Sequence, residues 1–203
     1  MIDTSKKLVL PKKFYIRSVL AVAKDLLGKL LIKTEGKKLL AGRIVEVEAY
    51  DGNIDQASHS FIGKTKRNEV MFNTGGCLYV YFTYGAHFCS NVVTGKKGYG
   101  SAVLIRAVEP LAGIDYMIIN RFNRELKSEK ELYNLTSGPG KVCKAFGFDS
   151  SYSGMDLTNS SVYLLDQPKL NQKKIGISKR IGITRSVDFP WRFFEIGNPY
   201  LSR

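Results

Sequence analysis

The sequence predicts a mixed α+β fold in a single domain, residues 1–203, and three observations carry this prediction. Residues 43–50, in a predicted strand at 39–50, alternate polar and apolar side chains with a period of two, which is typical of a β-strand. Residues 78–83 and 88–93 are two further β-rich runs, separated by a turn short enough for a hairpin. Residues 11–27 space their apolar side chains as an amphipathic helix does. No repeat, low-complexity segment or linker divides the chain, so we expect one domain.

The chain is strongly basic, with 31 Lys and Arg against 18 Asp and Glu and a formal net charge of +13. A compact domain with this charge usually binds a polyanion, and we favour nucleic acid over an anionic membrane. No apolar run approaches the length of a transmembrane helix, and the first 13 residues lack the apolar core of a signal peptide. We therefore expect no membrane partner and a cytoplasmic location, accessible to the nucleoid if the protein is bacterial.

Cysteine and histidine are too sparse to indicate a disulfide framework or a zinc site. The three cysteines are scattered, none forms a CxxC pair, and the only histidines are His59 and His87. We therefore expect no metal and no cofactor. Cys89 lies within a predicted strand and is interpreted as a small buried apolar side chain.

The first elements follow from local signals. Gly28 is placed to end the first helix, residues 29–33 predict a strand, and the turn at Glu35-Gly36 leads into the strand at residues 39–50. Residues 53–73 are polar and irregular, and a loop of this length in a compact domain is usually functional or disordered. Its basic side chains suit phosphate contacts and a solvated surface equally well: Lys64, Lys66 and Arg67.

Strict alternation divides the strand at residues 39–50 into two faces. The face expected to enter the core carries Val45, Val47 and Ala49. The other carries Ile44, Glu46, Glu48 and Tyr50. A carboxylate beside an aromatic ring could stack a flat ligand and present it with a base or a nucleophile. On this strand alone, a half-buried, solvent-facing surface with two ordinary glutamates is the simpler interpretation.

The predicted hairpin turns at Tyr84-Gly85-Ala86-His87, where Gly85 supplies the unusual backbone angle. Tyr84 is thereby placed near an exposed tip. A large aromatic side chain at such a tip often serves as a wedge or an interface anchor. A tyrosine folded back onto the sheet is the alternative.

The second half of the chain opens with an apolar strand, residues 101–108, that contains Arg106. A guanidinium in such a strand must pair with a carboxylate or face a cavity, because an unpaired buried charge is costly. The candidate partners are Glu46, Glu48 and Glu109. Helices are expected after Pro110 and from Pro139, where exposed backbone amides suit a phosphate. The basic residues 170–185 precede an aromatic cluster, residues 189–194, that fits a core better than a site.

The motifs in combination resemble the 3-methyladenine (alkyladenine) DNA glycosylase family. They cover nearly the whole chain, and they occur in the family's order and spacing. The motifs are RIVEVEAY (43–50), ASHS (57–60), RN (67–68), MF (71–72), LYVY (78–81), YG (84–85), FCSN (88–91), LIRAVEP (104–110), SGPGK (137–141), RIGI (180–183) and PWRF (190–193).

This resemblance implies a monofunctional enzyme that hydrolyses the N-glycosidic bond of a damaged purine in duplex DNA, leaves an abasic site and so initiates base excision repair. It also implies an α+β domain with a curved antiparallel sheet flanked by helices, from which a β-hairpin protrudes. By matching position, Glu48 would be the general base that activates the hydrolytic water, and Arg106 would help to hold that water and the carboxylate.

The resemblance likewise implies a pocket for the flipped base and a wedge for the duplex. Tyr50, Tyr81 and His59 would enclose the base, and Asn91 would obstruct the 2-amino group of guanine. Tyr84 would enter the minor groove and fill the gap left by the extruded nucleotide. The DNA backbone is expected to meet Lys64, Lys66, Arg67 and Lys141. We expect a monomer whose partner is double-stranded DNA that contains a damaged purine.

Elementary chemistry fits these implied roles. A base cannot be attacked at its sugar carbon until it leaves the stack, and aromatic faces offset the cost of unstacking. A cationic lesion such as 3-methyladenine suits an aromatic cage and leaves without protonation, whereas a neutral lesion such as hypoxanthine needs an acid that the sequence does not identify. Three residues differ from the family pattern: Ala86 and His87 in the hairpin, and Glu195, which would add a second carboxylate if its side chain turned inward.

Two other functions fit part of the sequence. A non-catalytic nucleic-acid-binding module would explain the charge and the hairpin, although a carboxylate such as Glu48 is unfavourable on a polyanion-binding surface. A glycosidase for small nucleosides would explain Glu48, but it would need neither the net charge of +13 nor the aromatic tip.

Overall fold

A computed structural model of the protein describes residues 8–83 and 85–202. The helices within these residues are α1 (Lys12–Tyr15), α2 (Val19–Leu26), α3 (Ile114–Phe122), α4 (Glu129–Tyr133) and α5 (Pro139–Phe146). The strands are β1 (Leu30–Glu35), β2 (Lys38–Asp51), β3 (Leu78–Thr83), β4 (His87–Thr94), β5 (Ser101–Ala112), β6 (Val162–Leu165), β7 (Ile175–Ser178) and β8 (Arg192–Glu195). Short 3-10 helices occur at Glu69–Phe72, Ser150–Tyr152 and Gln172–Lys174.

The described strands form one antiparallel sheet that curls into a half-barrel, with the order β3-β4-β5-β2-β1-β6. β2 is its central strand, and along one edge it pairs with β5 over residues 41–51. Along the other edge, residues 38–43 of β2 pair with β1 and residues 46–48 pair with β8, which in turn pairs with β7. The predicted α+β fold with a curved antiparallel sheet flanked by helices is confirmed.

Most predicted elements are present, but one predicted helix is divided into two. The first predicted helix is two helices, because the chain leaves helical geometry after Tyr15 and re-enters it at Val19. The residue before it, Ser18, caps the second helix, and its hydroxyl accepts a hydrogen bond from the Ala21 amide at 3.4 Å. Gly28, with φ of +83°, follows the end of α2 as predicted. β3 and β4 pair as a hairpin from Leu78↔Val92 to Thr83↔His87, and Tyr84 lies outside the described residues.

Two compensating β-bulges change the faces of β2 and β5. Ile44 pairs with Val108 and Glu46 with Ala107, so Val45 is an extra residue on β2. Val47 then pairs with Ile105, so Arg106 is an extra residue on β5, and the two insertions offset each other. The strict alternation predicted for β2 is therefore wrong at Ile44, because a bulge reverses which residues share a face.

The bulges divide β2 into a core face and a second buried face. Ile44, Val47 and Ala49 join the main hydrophobic core, with residues of α2, α5 and β5. Glu46 and Glu48 are 0% exposed, so the half-buried, solvent-facing surface considered from the sequence is also wrong. Two carboxylates that are removed from water require charged or hydrogen-bonding partners beside them.

Gly113 is the position where a close approach most strictly requires glycine, and Gly36 provides a matched comparison. Both have positive φ angles, +69° and +57°. A Cβ on Gly113 would lie 2.3 Å from the Leu39 carbonyl oxygen, whereas nothing lies within 4 Å of one on Gly36. We expect Gly36→Ala to lower the free energy of unfolding by about 1–2 kcal/mol, the cost of the left-handed conformation. Gly113→Ala should lower it by clearly more, because the backbone must also shift.

Urea unfolding of the two variants and the unchanged protein measures this difference. Equal losses in the two variants would contradict the predicted steric contact at Gly113.

Candidate active site

A cavity of about 510 Å³ opens on the side of β2 that carries the acidic residues. Four strands contribute to its wall, together with the loop after β2, the start of α5 and the segment 181–185. The side chains that bear on its chemistry are Tyr50, His59, Tyr79, Tyr81, Asn91 and Arg106. The cavity therefore brings together five residues predicted from the sequence and one, Tyr79, that was not selected.

Glu48 is fully buried directly behind this wall. Its Oε1 accepts a hydrogen bond from the Ile181 amide at 2.8 Å and lies 3.3 Å from Arg106 Nη1. Its Oε2 accepts a hydrogen bond from the Tyr50 hydroxyl at 2.8 Å. Glu48 is not among the described residues that line the cavity, but Tyr50, Arg106 and Ile181 all are. The carboxylate is thus fixed in orientation by three partners that also form the wall.

Tyr50 is held as a hydrogen-bond donor. Burial raises the pKa of the Tyr50 phenol well above its ordinary value, and the neighbouring Glu48 carboxylate raises it further. The hydroxyl therefore keeps its proton at neutral pH and can continue to donate to Glu48.

Arg106 lies between two carboxylates. Its Nε donates to Glu46 Oε1 at 3.0 Å, and its Nη1 faces Glu48. The bulge at Arg106 explains this placement, since it breaks the alternation of β5 at that residue. Two of the three predicted partners are therefore present, whereas the third candidate, Glu109, forms an ion pair with Arg43 instead.

Aromatic side chains form the opposite part of the wall. The rings of Tyr79 and Tyr81 stack with their centroids 5.4 Å apart. The rings of His59 and Tyr81 are in an edge-to-face arrangement with their centroids 4.4 Å apart. His59 Nδ1 lies 3.1 Å from the Tyr79 hydroxyl. Asn91 Nδ2 donates to the Tyr79 carbonyl at 3.2 Å, which fixes the Asn91 amide against β3. Tyr79 was detectable from the sequence, because it lies two residues before Tyr81 on the same strand.

A buried ion pair that the sequence analysis did not predict supports Tyr50. Arg180 and Asp55 have side chains 0% exposed, and Arg180 Nη2 donates to Asp55 Oδ1 at 2.8 Å. The guanidinium lies 4.6 Å from the centroid of the Tyr50 ring and 5.4 Å from that of Trp191. Arg180 therefore belongs to the site rather than to a solvated basic surface, and only the RIGI motif marked it. Part of the aromatic cluster also serves this site, although Phe193 enters the core as expected.

The basic residues predicted to meet DNA lie in segments that contribute to the cavity. Lys64, Lys66 and Arg67 are exposed on the loop that contains His59, and Arg67 donates to the Phe82 carbonyl at 3.2 Å. Lys141 lies in the first turn of α5, beside Asn134 and Ser137, and Pro139 of the same turn lines the cavity. Their contact with DNA stays a prediction.

Glu195 and His87, which depart from the family pattern, lie within the described residues. Glu195 Oε2 pairs with Arg43 Nη1 at 2.8 Å and accepts from Asn198 at 3.0 Å, so its side chain does not add a second carboxylate to the described wall. His87 lies against Gly140 in α5. Tyr84, the predicted wedge, lies outside the described residues.

Within the part of the chain that the structure describes, no cluster of three or more His, Cys, Asp or Glu side chains is arranged to hold a metal ion. No helix within residues 8–83 and 85–202 has the length and apolar character required to cross a bilayer.

His59 provides a test of the site's electrostatics. Burial lowers the pKa of the His59 imidazole below its ordinary value, and the positive charge of Arg67 lowers it further. We expect Arg67→Ala to raise the His59 pKa toward the ordinary value, measured by NMR titration of the His59 imidazole protons in the variant and in the unchanged protein. The same shift should appear in stability, because a folded-state pKa below the unfolded value makes stability fall as pH drops through the ordinary histidine range. Arg67→Ala should make the loss of stability at lower pH smaller. An unchanged His59 pKa in this variant would contradict the proposed effect of Arg67 on His59.

Comparison with known proteins agrees with this geometry. The family model described as methylpurine-DNA glycosylase matches residues 13–199. A protein of Carboxydothermus hydrogenoformans named "Putative 3-methyladenine DNA glycosylase" is 47% identical over 97% of this chain and 100% of its own length. Proteins with the same name from Alkaliphilus oremlandii and Clostridium beijerinckii are 44% and 42% identical, over 96% and 97% of this chain and 98% and 100% of their own lengths. The chain therefore belongs to the methylpurine-DNA glycosylase family, and it is a DNA glycosylase, a hydrolase of N-glycosyl bonds.

Proposed function

We propose that the protein flips an alkylated or deaminated purine out of duplex DNA and hydrolyses its N-glycosidic bond with a water molecule activated by Glu48. The observation that carries this proposal is the placement of Glu48, buried and held by Tyr50, Arg106 and Ile181 behind the wall of an aromatic cavity. A buried carboxylate with three fixed partners at such a wall is suited to general base catalysis.

The cavity suits a purine in size and in surface. Its volume of about 510 Å³ falls in the range usual for small-molecule sites. The rings of Tyr50, Tyr81 and His59 offer faces and edges on which a flat base stacks, and stacking is favourable for any base. A positively charged lesion gains further from cation–π attraction to these rings. Asn91, whose amide donates to the Tyr79 carbonyl, would obstruct the edge of a purine that carries an extra amino group.

The hydrogen bonds around Glu48 leave room for one water. A carboxylate offers about four acceptor positions, and the Ile181 amide, Arg106 and Tyr50 occupy three. The fourth, on Oε2 beside Tyr50, is the position from which Glu48 would accept a proton of the nucleophile. The water oxygen then bonds to the sugar carbon C1′, the N-glycosidic bond breaks, and its electron pair leaves with the purine.

The leaving base decides how much acid catalysis is required. A cationic 3-methyladenine leaves as a neutral molecule, whereas hypoxanthine or ethenoadenine needs a proton. His59 is part of the base cage, and burial together with the charge of Arg67 lowers the pKa of its imidazole, so little of the protonated form is present at pH 7 to donate a proton. The arrangement therefore favours cationic lesions over neutral ones.

Charge directs the duplex to this cavity. The net charge of +13 favours DNA, and the loop with Lys64, Lys66 and Arg67 also supplies His59 to the wall. Lys141 belongs to the turn of α5 that supplies Pro139. Phosphates bound by these side chains would lie close to the mouth, which places a flipped nucleotide within reach of Glu48. We propose that Tyr84 of the hairpin fills the gap in the duplex.

We expect Glu48→Gln to lower the single-turnover excision rate about 10²- to 10⁴-fold, because an amide cannot accept the proton of the attacking water. Binding of the lesion duplex should change little. The assay uses duplexes that carry one hypoxanthine or one ethenoadenine, and methylated DNA from which 3-methyladenine is released; alkali then cuts any abasic site.

Glu195→Gln is the matched control, since Glu195 pairs with Arg43 away from the cavity wall, and its rate should equal that of the unchanged protein. If the unchanged protein binds DNA but releases a base from none of the three substrates, a non-catalytic binding module would replace the proposal. Equal rates for Glu48→Gln and the unchanged protein would remove Glu48 from the mechanism.

The proposed phosphate contacts predict a salt effect. Each contact that is removed should reduce the slope of log Kobs against log[salt] by about 0.9, because fewer counterions are released. We expect this for Lys64→Gln and Lys66→Gln, measured by fluorescence anisotropy with duplex DNA. Lys37→Gln is the control, because Lys37 is exposed in the turn before β2, at the opposite end of that strand from Tyr50. A slope that none of the three changes would exclude these lysines from DNA contact.

A further inference from the structure

Ser202 occupies the centre of the buried charge cluster, although it is 96 residues from Arg106 in the chain. Its amide donates to Glu46 Oε2 at 2.6 Å, and its hydroxyl donates to Glu46 Oε1 at 2.7 Å. The same hydroxyl oxygen lies 3.2 Å from Arg106 Nε and 3.0 Å from Arg106 Nη2 and accepts from both. Ser202 is 8% exposed, so water competes little for these contacts.

These contacts affect the orientation of the Arg106 guanidinium, because that group interacts with two carboxylates. Glu46 Oε1 attracts the Nε side of the guanidinium, and Glu48 Oε1 attracts Nη1. Glu46 is fully buried and strongly requires positive charge and hydrogen bonds, which Arg192 Nε also supplies at 2.7 Å. If Glu46 were less well satisfied, it would draw Arg106 toward itself and away from Glu48.

The Ser202 hydroxyl forms hydrogen bonds with both Glu46 and Arg106. It donates to Glu46, so that Glu46 depends less on Arg106 for compensation of its charge. It also gives Nη2 an acceptor, which fixes the plane of the guanidinium about the Nε–Cζ axis. The remaining nitrogen, Nη1, then points at Glu48, where the proposed hydrolytic water would be held.

We propose that Ser202 is a positioning residue for glycosidic-bond hydrolysis, and that its hydroxyl aligns Arg106 with Glu48. This inference rests on the proposed function, since it assigns a role in that reaction. It concerns the hydroxyl group alone, because the Ser202 amide reaches Glu46 whatever the side chain.

The test compares Ser202→Ala with Ser202→Thr, which keeps the hydroxyl. Loss of one hydrogen bond to a charged group corresponds to about 10- to 100-fold. We expect Ser202→Ala to lower the single-turnover excision rate by about this factor, with the enzyme concentration at half-maximal rate unchanged. Ser202→Thr should recover most of the rate. Ser101→Ala is the control, because Ser101 is also fully buried on β5, where its hydroxyl contacts Thr94, and its rate should stay unchanged.

An NMR measurement reports on Arg106 without reference to activity. The Nε–H signal of Arg106, assigned by its loss in Arg106→Gln, should exchange with solvent faster in Ser202→Ala than in the unchanged protein or in Ser202→Thr.

Three results would overturn the inference. Equal rates and equal Arg106 exchange in Ser202→Ala and the unchanged protein would overturn it while leaving the proposed function intact. Equal losses of rate and of Tm in Ser202→Ala and Ser202→Thr would show a purely structural role. An unchanged protein that releases no base from any of the three substrates would instead overturn the proposed function, and this role with it.

Discussion

Two carboxylates, Glu46 and Glu48, are buried on one face of β2, and their need for partners explains most of the contacts around the site. Removing a carboxylate from water costs several kcal/mol unless partners compensate for the loss of hydration. For Glu46 and Glu48 the partners come from four distant parts of the chain: Arg106 of β5, the Ile181 amide, Arg192 of β8 and Ser202. The same contacts that compensate the charges therefore bring the final third of the chain against the centre of the sheet.

The sheet provides these contacts through two irregularities. The bulge at Val45 brings Ile44 into the core and leaves Glu46 and Glu48 on the cavity side, and the bulge at Arg106 brings a guanidinium to that same side. Because the extra residue at Val45 offsets the one at Arg106, the pairing from Val47 onward returns to the register of Ile44 and Val108. Bulges often occur next to active sites for this reason, since they redirect one side chain without disrupting a whole strand.

The buried ion pairs are better explained by function than by stability. Replacing such pairs with well-packed apolar residues is often neutral or stabilising, so their stabilising contribution does not by itself account for them. Each pair here touches a residue at the cavity: Arg106 touches Glu48, and the Arg180–Asp55 pair supports the Tyr50 ring. The loop that supplies His59 is fixed similarly, because the buried Asn68 amide donates to the His59 carbonyl at 2.7 Å and the Gly63 carbonyl at 2.9 Å. A site of this kind is largely formed before a ligand arrives.

Local sequence signals were enough to predict several elements and the chemical types present at the site. Period-two alternation predicted β2, the short turn predicted the β3–β4 hairpin, and the lone guanidinium in an apolar strand predicted a carboxylate partner for Arg106. The identity of those carboxylates and the face of β2 that they share follow from the folded sheet, because a bulge depends on the pairing with β5. The tertiary structure alone brought Arg180 to Tyr50 and Ser202 to Arg106. Ser202 and Arg106 are 96 positions apart in the chain, and Arg180 is still farther from Tyr50, so no local pattern of spacing or polarity encodes these contacts.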